Sequence, residues 1–453
     1  MPEKLKFYNT LSRKKEVFKP INEKKINMFV CGPTVYDYIH LGNAKTYIQF
    51  DFIARYLRSI GYKVFYLQNI TDIDDRIINR AKEDNLDWKK VKDEYERFFL
   101  GDMKSLNVTS VDKYARATDY IPEIISQVKR LIKKGYAYKI SDGWYFDLSK
   151  DRDYGKLAKR TELELEDAVS RIDENKEKRN KGDFCLWKFS KPEEPIWKSD
   201  IGNGRPGWHI EDTAITEKEF GSQYDIHGGG IDLIFPHHEA EIAQMESLSG
   251  KIPLVRYWLH TGFLEINSEK MGKSKKNFYT IRDVIERGYN PTYLRYFFLS
   301  AHYRKPLNFT FENLDAAKNA YEKLKNILSE FKKSREKKNK KDIDAAYRQF
   351  LEIVNDDLNM PKALSYLWDI LREDRLNDAE KYELALKFDE VFGLNLGKEE
   401  KVEVPAEVKK LVDERERLRK GKDFKTADKI REKINKLGFV VEDKERGFII
   451  KKK

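Results

Sequence analysis

The fold of this chain is decided by residues 27–67, which read NMFVCGPTVYDYIHLGNAKTYIQFDFIARYLRSIGYKVFYL. A short apolar run at residues 27–31 is followed by a loop containing Gly, Pro and Thr, and then by a periodic segment. Apolar residues recur there at every fourth position, and Gly61 stands where a helix C-cap is expected. The recurring residues are Ile48, Phe52, Tyr56 and Ile60. Because residues 64–67 form another apolar run, the stretch predicts a right-handed βαβ unit of a parallel sheet in an α/β protein.

The loop after the first predicted strand contains a candidate phosphate site, in which Cys31-Gly32-Pro33-Thr34 leads to His40-Leu41-Gly42-Asn43. Ligands of parallel sheets bind at the carboxyl ends of the strands, so residues 31–43 and 69–76 are predicted to form the mouth of a site. A helix N-terminus offers unpaired N–H groups and a partial positive charge, which suit a phosphate. His40 can donate to phosphate oxygens, and Gly42 lets a ligand approach the backbone. A histidine that only caps the helix is the alternative.

A second cluster, Lys270-Met271-Gly272-Lys273-Ser274, lies far along the chain. Two lysines three positions apart on a loop with Gly and Ser could bind a pyrophosphate from two sides. An ordinary basic surface loop would have the same composition. Neither this cluster nor the first one identifies a function when it is taken alone.

Composition limits the class of protein. The 453 residues suffice for about three domains, and 40% hydrophobic residues exclude global disorder. Lys and Arg outnumber Asp and Glu by 88 to 77, which favours a polyanionic partner. Two cysteines cannot form a disulfide framework, and no segment resembles a signal peptide or a membrane span. These features predict a soluble, multidomain protein of the cytoplasm.

The second half of the chain predicts helices. From Leu314 onward, apolar residues at helical spacing indicate a bundle that continues to about residue 400. Residues 408–437 read as a charged helical hairpin broken at Gly421. Residues 401–453 hold 18 Lys and Arg against 11 Asp and Glu, which indicates either a nucleic-acid contact or a solvated helical surface.

Taken together, the His40 and Lys270 clusters resemble the HIGH and KMSKS signatures of class I aminoacyl-tRNA synthetases. Longer stretches are similar to one branch of that class, the cysteinyl-tRNA synthetases. These stretches are FVCGPTVYDYIHLGN at residues 29–43, NITDIDDR at 69–76, GRPGWHIE at 204–211 and DIHGGGIDLIFPHHEAE at 225–241. The resemblance covers the whole chain, is very specific through residue 280 and weakens after about residue 310.

The resemblance implies that the chain activates L-cysteine with ATP and Mg²⁺ to form cysteinyl-adenylate and pyrophosphate, and then transfers cysteine to tRNA(Cys). His40 would stabilise the pentavalent phosphate, with Asn43 replacing the last histidine of the signature, and Lys270 and Lys273 would neutralise the departing pyrophosphate. The residues expected to bind ATP or the adenylate are Gly32, Gly42, His227, Gly229, Asp232 and Lys273. Those expected to line the cysteine pocket are Cys31, Thr71 and Trp208, although Trp208 could equally be a core residue.

The resemblance also implies a zinc ion that accepts the substrate thiolate and so distinguishes cysteine from serine. Its ligands would be Cys31, His237, Glu241 and a second cysteine, but Asp212 occupies that last position. His237 and Glu241 are four residues apart, as a pair of ligands on one helix face requires. Aspartate is a legitimate zinc ligand, so we expect zinc to be bound. The alternative is a metal-free pocket in which Asp212 makes only hydrogen bonds.

The resemblance implies a Rossmann-type catalytic domain at residues 1–118 and 205–265 with a connective insertion at 119–204. A KMSKS-loop and stem-contact region at 266–313 would follow, then a helical anticodon-binding bundle at 314–400 and a small basic tRNA-binding domain at 401–453. A monomer is expected. Two other functions remain open: an ATP-dependent ligase that joins cysteine to a small amine, and an RNA-binding protein with an inactive site. The long helical and basic C-terminal part argues against the first, and the intact His40 and lysine clusters argue against the second.

Overall fold

The computed structural model describes residues 4–159, 175–271, 277–398, 405–444 and 447–452. The strands are β1 (Lys6–Asn9), β2 (Lys14–Val17), β3 (Lys25–Val30), β4 (Lys63–Ile70), β5 (Lys113–Arg116), β6 (Ala137–Ile140), β7 (Gly143–Phe146), β8 (Phe184–Phe189), β9 (Gly204–Pro206), β10 (Tyr224–Gly230), β11 (Val255–Thr261), β12 (Leu264–Ile266), β13 (Glu269–Lys270), β14 (Leu307–Phe309), β15 (Phe439–Lys444) and β16 (Gly447–Lys452). The α-helices are α1 (Leu41–Ser59), α2 (Asp75–Glu83), α3 (Trp88–Ser105), α4 (Ile121–Lys133), α5 (Trp208–Phe220), α6 (Glu239–Ser249), α7 (Ile281–Glu286), α8 (Pro291–Leu299), α9 (Phe311–Phe331), α10 (Lys340–Asn355), α11 (Met360–Arg372), α12 (Asp378–Phe392), α13 (Ala406–Lys420) and α14 (Phe424–Lys436).

A five-stranded parallel sheet with the order β11-β10-β3-β4-β5 forms the centre of the larger part of the molecule. The predicted βαβ unit is confirmed as β3, α1 and β4. The helix ends one residue earlier than the spacing indicates, with Ile60 as its C-cap and Gly61 at φ +97°. Gly61 is therefore used where the chain reverses toward β4, in a conformation that residues with a side chain rarely adopt.

Side chains of β3 alternate between two hydrophobic cores, one on each face of the sheet. Met28 and Val30 pack with α1 and the helices of the C-terminal half, while Phe29 and Cys31 pack with α4, α5 and α6. This alternation directs Cys31 to the face of the sheet on which α5 and α6 lie.

The helix α1 connects the sheet to the predicted bundle, which consists of α9 to α12. It packs against α12 and α8. Asp51 on α1 and Arg295 on α8 form an ion pair at 2.5 Å with both side chains fully buried. The apolar stripe predicted from Leu314 is buried in α9.

The segment between the two parts of the sheet contains α4 and a four-stranded antiparallel sheet of order β6-β7-β8-β9. Two cations of that sheet, Lys188 and Arg205, bind the Asp75 carboxylate at the start of α2, at 2.8 and 2.5 Å. The insertion is thus fastened beside the carboxyl end of β4.

The chain divides into two compact units, residues 1–396 and 397–453. In the second unit, α13 and α14 pack on the hairpin of β15 and β16 around Val412, Ile434 and Val441. The helical hairpin interrupted near Gly421 is as predicted, whereas the terminal β-hairpin was not foreseen. The finer domain boundaries stay predictions. No helix within the described ranges combines the length and apolarity needed to cross a bilayer.

Candidate active site and metal centre

A cavity of about 400 Å³ lies at the carboxyl ends of β3, β4 and β10. Cavities of this size bind small molecules such as nucleotides and amino acids. Ten residues that the sequence analysis singled out line it: Cys31, Gly32, His40, Gly42, Asn43, Thr71, Trp208, Asp212, Asp232 and His237. The structure therefore brings the predicted nucleotide, amino-acid and metal residues into one cavity.

His40 is the N-cap of α1 and forms a capping box with Asn43. Its Nδ1 accepts the backbone N–H of Asn43 at 3.2 Å, and the Asn43 side-chain oxygen accepts the His40 backbone N–H at 3.3 Å. Because Nδ1 acts as an acceptor, a neutral His40 ring carries its proton on Nε2. The capping alternative and the phosphate role are therefore compatible, since the cap fixes which nitrogen can donate.

Gly42 is required by close packing under His40. A Cβ at position 42 would lie 2.9 Å from two atoms of the His40 ring and 3.2 Å from Met271. The absence of a side chain here lets the imidazole lie over the first turn of α1.

The end of the cavity that is expected to take the nucleotide is lined by Gly230, the last residue of β10, and by Asp232 and Leu233 after it. Asp232 is exposed at this rim. His227 and Gly229, which were also expected to contact ATP, are buried and do not line the cavity. A Cβ at Gly229 would approach the His238 ring to 2.9 Å, so this glycine serves internal packing. The predicted contacts of both residues with ATP have no support from their positions.

Lys270 ends β13, where its backbone pairs with Glu265 of β12, and Met271 lines the cavity beside it. Lys273, the other predicted pyrophosphate ligand, lies outside the described residues. The pairing nevertheless brings the start of the KMGKS sequence to the same cavity as His40.

Four buried donors converge at the opposite end of the cavity. Ligand atoms of Cys31, Asp212, His237 and Glu241 all lie within 4.8 Å of one another. Cys31 Sγ is 3.5 Å from Asp212 Oδ2, which is 2.9 Å from His237 Nε2. His237 Nε2 is also 3.3 Å from Glu241 Oε1, so the predicted pair does meet. The 3.5 and 3.3 Å separations are close to the edges, about 3.3–3.8 Å, of a tetrahedron with metal–ligand bonds of about 2.0–2.3 Å. The 2.9 Å contact between Asp212 and His237 is shorter and is a hydrogen-bond distance.

The electrostatics of this cluster fit a cation. Among the residues that the structure describes, Asp212 Oδ1 and both oxygens of Glu241 are buried and have no hydrogen-bond partner. Burial raises the pKa of the Cys31 thiol well above its usual value, and the charges of Asp212 and Glu241 raise it further. Burial likewise raises the pKa of Glu241. A divalent cation would offset these effects and let the thiolate and carboxylates remain ionised.

A second donor set shares Cys31 and Glu241 but uses His227 and His238 in place of Asp212 and His237. Cys31, Asp212 and His237 line the cavity, whereas His227 and His238 do not. An ion in the first set would thus face a substrate, and one in the second set would not. The first set is also the one predicted from the sequence.

Histidines around this end were largely missed by the sequence analysis. His209, His238 and His260 join His227 and His237 there, so five of the seven histidines of the chain cluster in the fold. His237 Nδ1 is 2.8 Å from His209 Nδ1, and His238 Nδ1 is 2.8 Å from His260 Nε2. Burial lowers the pKa of His209, His227 and His238, and that of His260 to about 3, so these rings are neutral. The one feature of the sequence that could have indicated this cluster is that few histidines occur elsewhere in the chain.

The amino-acid end has one polar and one aromatic wall. The Thr71 hydroxyl donates to the buried carboxylate of Glu211, and its oxygen accepts a long hydrogen bond from Asn69 Nδ2 at 3.4 Å, which leaves one further lone pair as an acceptor. Trp208 stacks on His237 with ring centroids 4.5 Å apart, and the Arg76 guanidinium lies 5.6 Å from the Trp208 ring. Trp208 is thus a wall of the cavity rather than a core residue.

The comparisons with known proteins agree with this geometry. Residues 17–319 match the catalytic domain of class I (C) tRNA synthetases, and residues 401–448 match a cysteinyl-tRNA ligase anticodon-binding domain. The chain is 46% identical to a cysteine–tRNA ligase of Thermococcus gammatolerans over 476 aligned residues, which cover 99% of each chain. It is 47% identical to one of Thermoplasma acidophilum, covering 97% of this chain and 98% of the relative.

Solved structures support the fold alone. A methionyl-tRNA synthetase of Mycobacterium tuberculosis in complex with methionyl-adenylate superposes with a TM-score of 0.58 at 16% identity, covering 82% of this chain and 90% of that one. The Rossmann-type fold and the family predicted from the sequence are therefore confirmed. By its sequence over nearly its full length, the chain belongs to the cysteine–tRNA ligase family.

Proposed function

We propose that this cavity activates L-cysteine with ATP to give cysteinyl-adenylate and pyrophosphate, and then transfers cysteine to the terminal ribose of tRNA(Cys). The observation that carries the proposal is the presence of two chemically distinct ends in one cavity. One end has four convergent metal donors, and the other has a capped histidine and a carboxylate after a glycine-rich strand.

At the nucleotide end, His40 would act on the α-phosphate of ATP. The backbone N–H of Asn43 donates to Nδ1, so Nε2 is the ring nitrogen that would donate to a phosphate oxygen as negative charge develops during attack by the cysteine carboxylate. The side-chain oxygen of Asn43 accepts the His40 backbone N–H in the cap, which leaves the side-chain nitrogen Nδ2 to donate to a phosphate oxygen. Lys270 and Lys273 would neutralise the pyrophosphate, which leaves with Mg²⁺.

The adenosine would lie over the carboxyl end of β10. Asp232 would accept hydrogen bonds from ribose hydroxyls at the exposed rim. Gly32 and Gly42 line the cavity, and neither has room for a side chain, because a Cβ at Gly32 would lie 1.8 Å from the Asn69 carbonyl oxygen and one at Gly42 would lie 2.9 Å from the His40 ring. His227 and Gly229 remain proposed adenylate residues from the family resemblance, but they would act from behind the cavity wall.

At the other end, Cys31, Asp212, His237 and Glu241 would hold a zinc ion. Zinc would supply a Lewis acid that prefers a substrate thiolate to the hydroxyl of serine. The contact of His209 with His237 Nδ1 orients that ring so that Nε2 faces the other three donors. The Thr71 hydroxyl oxygen would accept a hydrogen bond from the α-ammonium of cysteine, and the Trp208 ring would exclude larger side chains.

The helices α9–α12 and the basic residues 401–453 would provide further contacts with tRNA. The match of residues 401–448 to an anticodon-binding domain supports this role. It also disfavours a ligase that joins cysteine to a small amine, for which no anticodon contact is needed. We propose a monomer that acts in the cytoplasm.

The test is cysteine-dependent exchange of pyrophosphate into ATP by the purified chain. We expect exchange with cysteine, at least a hundredfold less with serine, and loss of exchange with chelation that zinc restores. Deletion of residues 401–453 should leave exchange intact and weaken aminoacylation of tRNA(Cys). Absence of exchange in the zinc-loaded chain would contradict the proposed function.

A further inference from the structure

Lys45 is a buried cation beside the cavity that the proposed chemistry does not use. It lies in the second turn of α1, and 1% of its surface is exposed. Within the described part of the chain, its ammonium forms hydrogen bonds only with the carbonyls of Gly262 at 2.5 Å and Lys305 at 3.2 Å. Burial lowers the pKa of Lys45 to about 8. A buried cation that only carbonyl groups contact is costly in free energy, so filling space in the core does not explain why a lysine occupies this position.

The Gly262 carbonyl, which is the first acceptor of Lys45, belongs to the segment that precedes the KMGKS sequence in the chain. Gly262 follows β11, and two residues later the chain enters β12. Glu265 of β12 pairs with Lys270 of β13, so only a short stretch of paired backbone separates the Gly262 carbonyl from the first predicted pyrophosphate ligand. Next to Lys45, Thr46 Oγ1 is 2.7 Å from Thr261 Oγ1, which gives α1 a second hold on this stretch.

The second acceptor belongs to a segment fixed from the other side. Tyr303 and Arg304 both bind the fully buried Asp357 carboxylate, at 2.9 and 2.5 Å. The Gly262 N–H donates to the Tyr303 carbonyl at 2.9 Å. A Cβ at Gly262 would lie 2.5 Å from Lys305, so the two segments touch through backbone alone. Lys45 therefore joins the segment that leads to the KMGKS sequence to a second segment, which Asp357 anchors, through one ammonium group.

The residues that follow the KMGKS sequence also contact α1. The Leu41 N–H donates to the Tyr279 carbonyl at 2.9 Å, and His40 and Thr280 form a β-bridge. The N-terminal half of α1 thus contacts the chain both before Lys270 and after residue 277. The contacts with Tyr279 and Thr280 hold the first turn of α1, whose N-cap is His40, against the residues that follow the KMGKS sequence.

We propose that Lys45 is a positioning residue for the activation step: its buried ammonium holds residues 262–270 against α1, so that the backbone at the start of the KMGKS sequence is fixed beside the cavity that His40 lines. The inference rests on the proposed function, because it assigns Lys45 a role in the same reaction. Lys45 touches no substrate in this arrangement.

The test compares Lys45→Met, Lys45→Arg and Gln49→Met in pyrophosphate exchange. Gln49 is a matched control because it lies one turn further along α1, is buried, and donates to the Phe298 carbonyl at 2.8 Å, away from the KMGKS sequence. We expect Lys45→Met to lower kcat by about 10- to 100-fold with the KM for cysteine within about twofold. Lys45→Arg should recover most of kcat, and Gln49→Met should retain it.

Amide hydrogen exchange supplies a readout that a loss of overall stability would not give. Lys45→Met should speed exchange in residues 262–270 relative to the rest of the sheet, whereas Gln49→Met should not. If Lys45→Met does not fold, Lys45→Gln carries the same comparison. Unchanged kcat, or equal losses in Lys45→Met and Gln49→Met, would overturn the inference. An inactive wild-type chain would instead overturn the proposed function.

Discussion

The two ends of the cavity are built in opposite ways. The metal end consists of fully buried titratable groups from β3, α5, α6 and the turn before α6, and its chemistry arises from desolvation. The nucleotide end consists of rim residues at strand and helix termini, where His40 is set by a cap and Asp232 is exposed. Under the proposed function, the buried end would select the amino acid and the open end would bind the charged nucleotide.

The largest effect should follow from changing the buried end. Cys31→Ser should lower cysteine activation by about a thousandfold or more and reduce the zinc content, because a hydroxyl replaces the one soft donor of the cluster. The matched control is Cys185→Ser on β8, which is half-buried away from the cavity and should keep both properties. If Cys31→Ser keeps full activity and full zinc content, the buried end does not select cysteine through a metal ion, and the proposed difference between the two ends is wrong.

An intermediate effect is expected at His40. His40→Asn keeps a good N-cap residue but removes the imidazole donor, so it should lower the exchange rate by about 100- to 1000-fold without loss of thermal stability. The zinc content and the KM for cysteine should stay at wild-type values. If His40→Asn is active, the residue serves only as a cap, and the nucleotide end loses its proposed catalytic group.

The smallest effect is expected at the exposed rim. Asp232→Asn should weaken ATP binding by about tenfold, because a hydrogen bond to a charged acceptor becomes a bond to a neutral one. Titration of ATP against the exchange rate would measure this, with zinc content as the internal control. A change in cysteine affinity larger than that in ATP affinity would mean that the two ends are not separate.

Short motifs indicated residues that meet in the fold, namely His40, Gly42 and Asp232 at the cavity and the four donors of the metal cluster, whereas the roles of these residues stay predictions. The βαβ unit follows from local periodicity, and strand alternation then places Cys31 on the face of α5 and α6. His227 shows the limit of such reasoning. A glycine-rich motif indicates that a ligand binds nearby, but it does not show which side chains of the motif line the cavity and which are buried beneath its wall.

The histidine cluster and Lys45 could not be predicted for a different reason. His209, His238 and His260 come from three elements and have no common spacing, so only the fold brings them together. Lys45 looks like a surface lysine on a helix until the chain at Gly262 and Lys305 covers it. The terminal β-hairpin was missed because its charged residues obscure the alternation of β15 and β16.

The wide separation of Cys31 and Asp212 along the chain, 181 positions, has a consequence for biosynthesis. At a synthesis rate of about 5–20 residues per second, Cys31 leaves the ribosome roughly 10–40 s before its carboxylate neighbour. During that interval the nascent thiol has neither its burying helices nor the remaining donors, so it can react with oxidants or bind stray metal ions. Loading of the correct ion therefore belongs to a late stage of maturation, after the insertion has been translated and α5 and α6 have docked.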